Sequence, residues 1–156
     1  MITKEVTVGE ARLALENALD AHSKNSQVDA EMLQLAVYGI NNEIQIRDYA
    51  LGLSLTTDPT IVCSFIKYAI VQDAEYDRCA LYTILSSIYF SMGNYVLSMW
   101  ALKNAIELNP DYSLARLLNR VYTEKWTDGE FNQMKTDLHP KVIKLLETME
   151  NNIIGS

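Results

Sequence analysis

Basic residues are scarce in this sequence: 13 Lys and Arg stand against 20 Asp and Glu, a net charge of −7. A nucleic-acid surface neutralises phosphates with clustered lysine and arginine. The nearest approach to a cluster here, Lys135, Lys141 and Lys144, is a thin fringe, so no nucleic-acid partner is expected. Histidine and cysteine occur twice each (His22, His139, Cys63, Cys79). Zinc takes about four ligands in a recognisable grouping, and none is visible; the short His139–Asp137 spacing is too common to signal a site. A nucleophilic cysteine needs a base close by, and neither Cys63 nor Cys79 has a sequence-local histidine. Both sit among apolar residues and are expected as buried reduced thiols. The six glycines are scattered, which excludes a glycine-rich phosphate loop. Only three prolines occur, and no low-complexity linker divides the chain. No apolar run reaches the ~18 residues that a membrane span requires. The start, MITKEVTVGEA, has neither the basic segment nor the apolar core of a secretory signal. These absences predict a cytoplasmic protein without cofactor, metal or membrane partner, and not an enzyme.

Apolar residues make up 49% of the 156 positions, enough for one domain over residues 1–156 to bury a core of its own. Their spacing is helical throughout. Thr7 with Glu10 has the interval of a capping box, followed by Ala11, Leu13, Ala14, Ala18 and Leu19. Ser26 with Asp29 is a second start, leading into Met32, Leu33, Ala36 and Val37. Ile44–Leu55 forms a third segment, ended by a threonine pair before Asp58-Pro59. Residues 60–71 are apolar on nearly every side, which predicts a helix buried all round. Near the end, Thr127 and Glu130 open a short turn, and His139-Pro140 opens a last helix carrying Val142, Ile143, Leu145, Leu146 and Met149.

The richest segment is CALYTILSSIYFSMGNYVLSMWALKNAIELNPDY, residues 79–112. Tyr82, Leu85, Ser86, Tyr89 and Phe90 recur at three- and four-residue steps on one helix face. Gly93-Asn94 breaks the pattern with residues that accept the left-handed conformation, and Tyr95, Ser98, Met99, Leu102, Ala105 and Ile106 rebuild it. Ser86 and Ala105 are small where two helices would approach, and Asn109-Pro110 stops the second helix. Ten of these positions together resemble one tetratricopeptide repeat, a helical hairpin whose usual work is holding other proteins. One period of about 34 residues earlier, Leu51, Gly52, Leu55, Ser64, Tyr68 and Val71 form a degenerate second copy over 45–78. After the hairpin, Arg116, Asn119 and Arg120 stand where apolar residues would continue the repeat. The helix from Asp111 instead presents Leu114, Ala115, Leu118, Val121 and Tyr122, the pattern of a terminal cap. A further resemblance rests on IRDYALGL (46–53) and NPDYSLARLL (109–118). These runs are similar to the C-terminal part of an uncharacterised family of actinobacteria and their phages, a domain of unknown function. It implies a fold and no catalytic residues, and the shortness of this chain leans toward a phage or accessory version.

The expected architecture is therefore all-α. TPR-like antiparallel hairpins stack in a short right-handed array, with N-terminal helices over 1–44, two hairpins over 45–112 and capping helices over 113–156. The carboxylates Asp73, Glu75 and Asp77 lack the glycine turn and distal glutamate of a calcium loop and read as a solvated connection. Glu147 and Glu150 share a helix face without a cleft to make them an acid–base pair. Nine tyrosines and two tryptophans point elsewhere, because such side chains are enriched at interface centres. Trp100 and Trp126 are the aromatic candidates. Thr83, Ser87, Phe90 and Ser91 are the candidates on the concave face, with a groove that is either open or filled by the chain's own helices. The expected function is a protein–protein interaction module, with a phage protein binding a host protein as one form of it. Pairing of two copies into a homo-oligomeric structural protein is the second reading, and an enzyme without a recognisable motif is the third.

Overall fold

The computed structural model describes residues 5–125 and 127–155, and the fold is all-α, with no strand among the described residues. In chain order the helices are α1 (Val8–Ser23), α2 (Ala30–Asn42), α3 (Ile44–Gly52), α4 (Pro59–Ile70), α5 (Cys79–Ser91), α6 (Tyr95–Leu108), α7 (Ser113–Thr123) and α8 (Asp128–Gly155). A 3-10 turn, Leu53–Leu55, extends α3. Each start has a local cause. The Thr7 hydroxyl accepts from the Glu10 N–H at 3.1 Å. Asp29, rather than the expected Ser26, caps α2 through the Met32 N–H at 3.0 Å. Asp58 accepts from the Thr60 N–H at 2.9 Å, with Pro59 in the first turn of α4, and Asn94 caps α6. Such caps satisfy donors that have no partner inside the helix.

Helix α5 is the centre. Cys79, Ala80, Leu81 and every residue from Thr83 to Phe90 are buried, because α2, α3, α4, α6, α7 and α8 all pack against it. It forms an antiparallel hairpin with α6 across Gly93, whose φ of 77° suits a residue without a side chain. The two helices lock through reciprocal bonds. The Ser86 hydroxyl donates to the Ser98 carbonyl at 2.7 Å, and the Ser98 hydroxyl donates to the Ser86 carbonyl at 2.9 Å. Serine is small enough to permit the close approach and supplies the hydrogen bonds that the approach would otherwise exclude from water. The Tyr122 hydroxyl of α7 joins the same pair at 2.9 Å from Ser86 Oγ. On α7, Leu114, Ala115, Leu118 and Val121 are buried while Arg116, Asn119 and Arg120 face outward.

The segment 45–78 departs from the expected hairpin. The main partner of α3 is α8, and that of α4 is α5, so the two supply helices to different neighbours. Nor is α4 buried all round: Val62, Cys63, Phe65, Ile66 and Ala69 face inward, whereas Thr60, Ser64 and Lys67 are exposed. The largest correction lies in the last helix. Residues 127–130 start no separate turn; the Thr127 hydroxyl accepts the Glu130 N–H at 3.1 Å and α8 then runs unbroken through Pro140. Proline removes one N–H and frees the carbonyl four residues back. Thr136 and Pro140 are both exposed, so the proline sits on the solvent side of α8. His139 therefore lies inside a helix, not at its boundary.

Replacing Ser86 with alanine is expected to destabilise the protein by about 1–2 kcal/mol, because the Ser98 carbonyl and Tyr122 hydroxyl lose a buried partner. Ser86→Leu is expected to cost more through overpacking. Urea denaturation of the two variants beside the parent chain checks both the sign and the order.

Candidate functional site

Of the concave-face candidates, Thr83 and Ser87 are wholly buried and Phe90 nearly so. Of the two alternatives for this groove, open or filled, the filled one describes these residues: the chain's own helices pack over them. Phe90 stacks on Tyr122 of α7 at 4.4 Å and meets Phe131 of α8 edge-on at 5.2 Å. Ser91 is half-buried, its carbonyl taken by Asn132 and its hydroxyl by Lys135. Trp126 lies outside the described residues.

Trp100 is different. It is 48% exposed, with one ring edge held against Tyr82 at 6.0 Å between centroids. Val96 and Met99 share its helix face, 81% and 47% exposed. The opposite face of α6 carries Ser98, Ala101, Leu102 and Ala105 into the core. Helical apolar residues normally point toward a core, and here they line both faces. No Asp, Glu, Lys or Arg occurs between Cys79 and Leu102, so nothing charged interrupts the outer face until Lys103.

A second unusual feature is buried. Phe131, Lys135, His139, Val142 and Leu146 are the inward positions of α8, at steps of four, four, three and four. Two of the five are ionisable. Lys135 is 2% exposed, and its ammonium donates to Ser54 Oγ and Ser91 Oγ, each at 3.2 Å. Those serines mark the C-terminal end of α5 and the turn that ends α3, where carbonyl dipoles present negative charge. No carboxylate pairs with it among the described residues, and burial pulls its pKa from 10.5 to about 8, opposed by the Cys63 thiol. One turn on, His139 is buried against Tyr49, and its Nδ1 has no partner among the described residues. Burial, and then the charge of Lys135, lower its pKa. Gly52 makes room for this ring: a Cβ there would lie 2.0 Å from His139 Nδ1. Farther along, Glu150 of α8 meets Arg12 at 3.5 Å, and Arg12 also holds Glu16 at 3.0 Å. The signal for this cluster was present in the spacing from Phe131 to Leu146.

Cys63 and Cys79 are free and buried, and burial pushes both thiols up to about 11, which disfavours the thiolate. Asp73, Glu75 and Asp77 border a cleft of about 730 Å³ with Tyr38, Asn41 and Asn42. No three metal-ligating side chains come together among the described residues, and no helix there is long and apolar enough to cross a membrane. No family model, curated protein or solved structure matches the chain.

Lys135 gives a pH signature with a definite sign. Between about pH 8 and 10.5 the unfolded chain holds this proton and the fold does not, so the group makes stability rise with pH. The buried thiols and phenols act oppositely over that range, so the informative quantity is the difference from Lys135→Met. The variant is expected to be more stable at pH 7 by about 1–3 kcal/mol, with the gap closing toward pH 10; guanidinium melts along a pH series measure it. His139, lowered from 6.5, makes stability fall as the pH drops below about 6.5. His139→Leu is expected to flatten that acid limb. Gly52→Ala is expected to lower stability by about 1–3 kcal/mol through overpacking against the ring, read by thermal melting.

Proposed function

We propose that this chain is a protein–protein interaction module whose working surface is the outer face of α6. The observation that carries the reading is the exposed stripe of Val96, Met99 and Trp100 on a helix whose other face is fully engaged in the core. Exposed side chains scattered singly need no explanation, whereas a contiguous apolar face indicates a contact. Tryptophan is among the commonest residues at the energetic centres of interfaces. The edge contact with Tyr82 limits the freedom that Trp100 must lose on binding. The resemblance of residues 79–112 to a tetratricopeptide repeat supports the same role. The buried concave candidates Thr83, Ser87 and Phe90 act in this reading as packing residues that hold α6 in place.

A photo-crosslinking residue placed at position 96 or 100 tests the proposal in cells of the native host. Protein adducts are expected from both positions and not from position 119, an exposed site on α7. Equal yields from all three, or none, would sink the reading.

A further inference from the structure

We infer that the partner received by α6 is a second copy of this chain, packed across a two-fold axis near Met99 and Trp100. The inference rests on the reading of α6 as the working face and goes further by naming what covers it. Charge is the discriminating observation. The chain carries −7 overall, so a partner selected by charge would be basic and would be met by carboxylates. The exposed part of α6 presents none before Glu107: from Tyr95 to Leu102 every side chain is uncharged, and Lys103 is the first exception. Two chains of −7 repel, and they can touch at least cost where neither bears charge. An antiparallel crossing centred between Met99 and Trp100 pairs positions whose numbers sum to 199. It sets Lys103 of each copy opposite Val96 of the other, where the lysine's aliphatic stem can lie on the valine. No like charges then face one another, as a self-complementary contact requires.

The size of the face fits a weak, reversible pair. Tyr95, Val96, Met99 and Trp100 are between 47% and 81% exposed. With aromatic side chains presenting roughly 150–250 Å² each, the stripe offers on the order of 400 Å² per copy. Two such faces fall below the ~1,200 Å² total of a standard stable interface. Dissociation in the micromolar range is the corresponding expectation.

Sedimentation velocity from low micromolar to several hundred micromolar, at low and high sodium chloride, tests this assignment. A monomer–dimer equilibrium is expected that tightens about threefold or more with salt, because screening relieves the repulsion of two acidic chains. Val96→Glu is expected to raise the dissociation constant at least tenfold; with Val96 81% exposed, the fold should tolerate it. Leu117→Glu, at an exposed leucine of α7, is expected to leave the equilibrium unchanged. Met99→Cys, close to the axis, is expected to give an oxidised dimer, with little background from the buried Cys63 and Cys79. A monomer at every concentration, a dimer that survives Val96→Glu, or one that loosens in salt would overturn the assignment. Adducts from position 96 to a different protein would separate that failure from failure of the parent reading, in which no adducts form.

Discussion

Helix α5 has almost no contact with water, and the rest of the molecule is arranged around that constraint. A helix enclosed by six neighbours has nowhere to place a charge and must satisfy each side-chain polar atom internally. Its composition follows. The Thr83 hydroxyl donates back to the Cys79 carbonyl, the Cys79 thiol reaches the Ala105 carbonyl, and Ser86 exchanges bonds with Ser98. These small polar groups let α6 approach closely and keep the hairpin in register. Only Ser87 Oγ is left without a partner on this helix among the described residues. With α6 committed inward along Ser98, Ala101, Leu102 and Ala105, Val96, Met99 and Trp100 are left on the solvent side.

The seam of α8 follows a different logic. Its core stripe is interrupted by a lysine and a histidine, neither with a carboxylate counter-charge among the described residues. The helix is held instead by apolar anchors above and below, Phe131 and Leu146, and by the Arg12–Glu150 contact at its far end. Helix ends at Ser91 and Ser54 soften the electrostatic cost of the ammonium without removing it. The seam is thus well packed and electrostatically poor, whereas the α5–α6 hairpin is favourable on both counts.

What was legible in the sequence was local. The α5–α6 hairpin, its turn at Gly93-Asn94, the stop at Asn109 and the altered phase of α7 all follow from spacing and turn chemistry within a few residues. The all-α class follows from the same periodicities. Whether the groove is open or filled was not decidable from the sequence, because it depends on α8, a segment far along the chain that returns to lie on α3, α1 and α5. Lys135 reads as a surface residue wherever lysine is scored as polar, and its inward position becomes visible only through its neighbours Phe131 and His139. Pro140 suggested a helix start, since proline favours first turns; it lies instead inside α8, on the solvent side. Trp100, a candidate because tryptophan is enriched at interfaces, lies at the surface, whereas Val96, more exposed still, carries no such signal in the sequence.

Arg78 bears on the acidic connection between α4 and α5. Its guanidinium donates to the carbonyls of Ile70, Gln72, Ala74 and Tyr76 at 2.7–3.0 Å, and Asn41 donates to the Asp77 carbonyl at 3.0 Å. The Tyr76 hydroxyl also donates to the Ala69 carbonyl. A protease must draw out an extended stretch of backbone before it can cleave, and polar exposed loops usually yield one. Here the carbonyls of Gln72, Ala74, Tyr76 and Asp77 already have donors. The stretch from Val71 to Asp77 looks by composition like the natural place to nick the chain, yet Arg78 holds every second carbonyl of it, so cleavage there has to wait until Arg78 lets go.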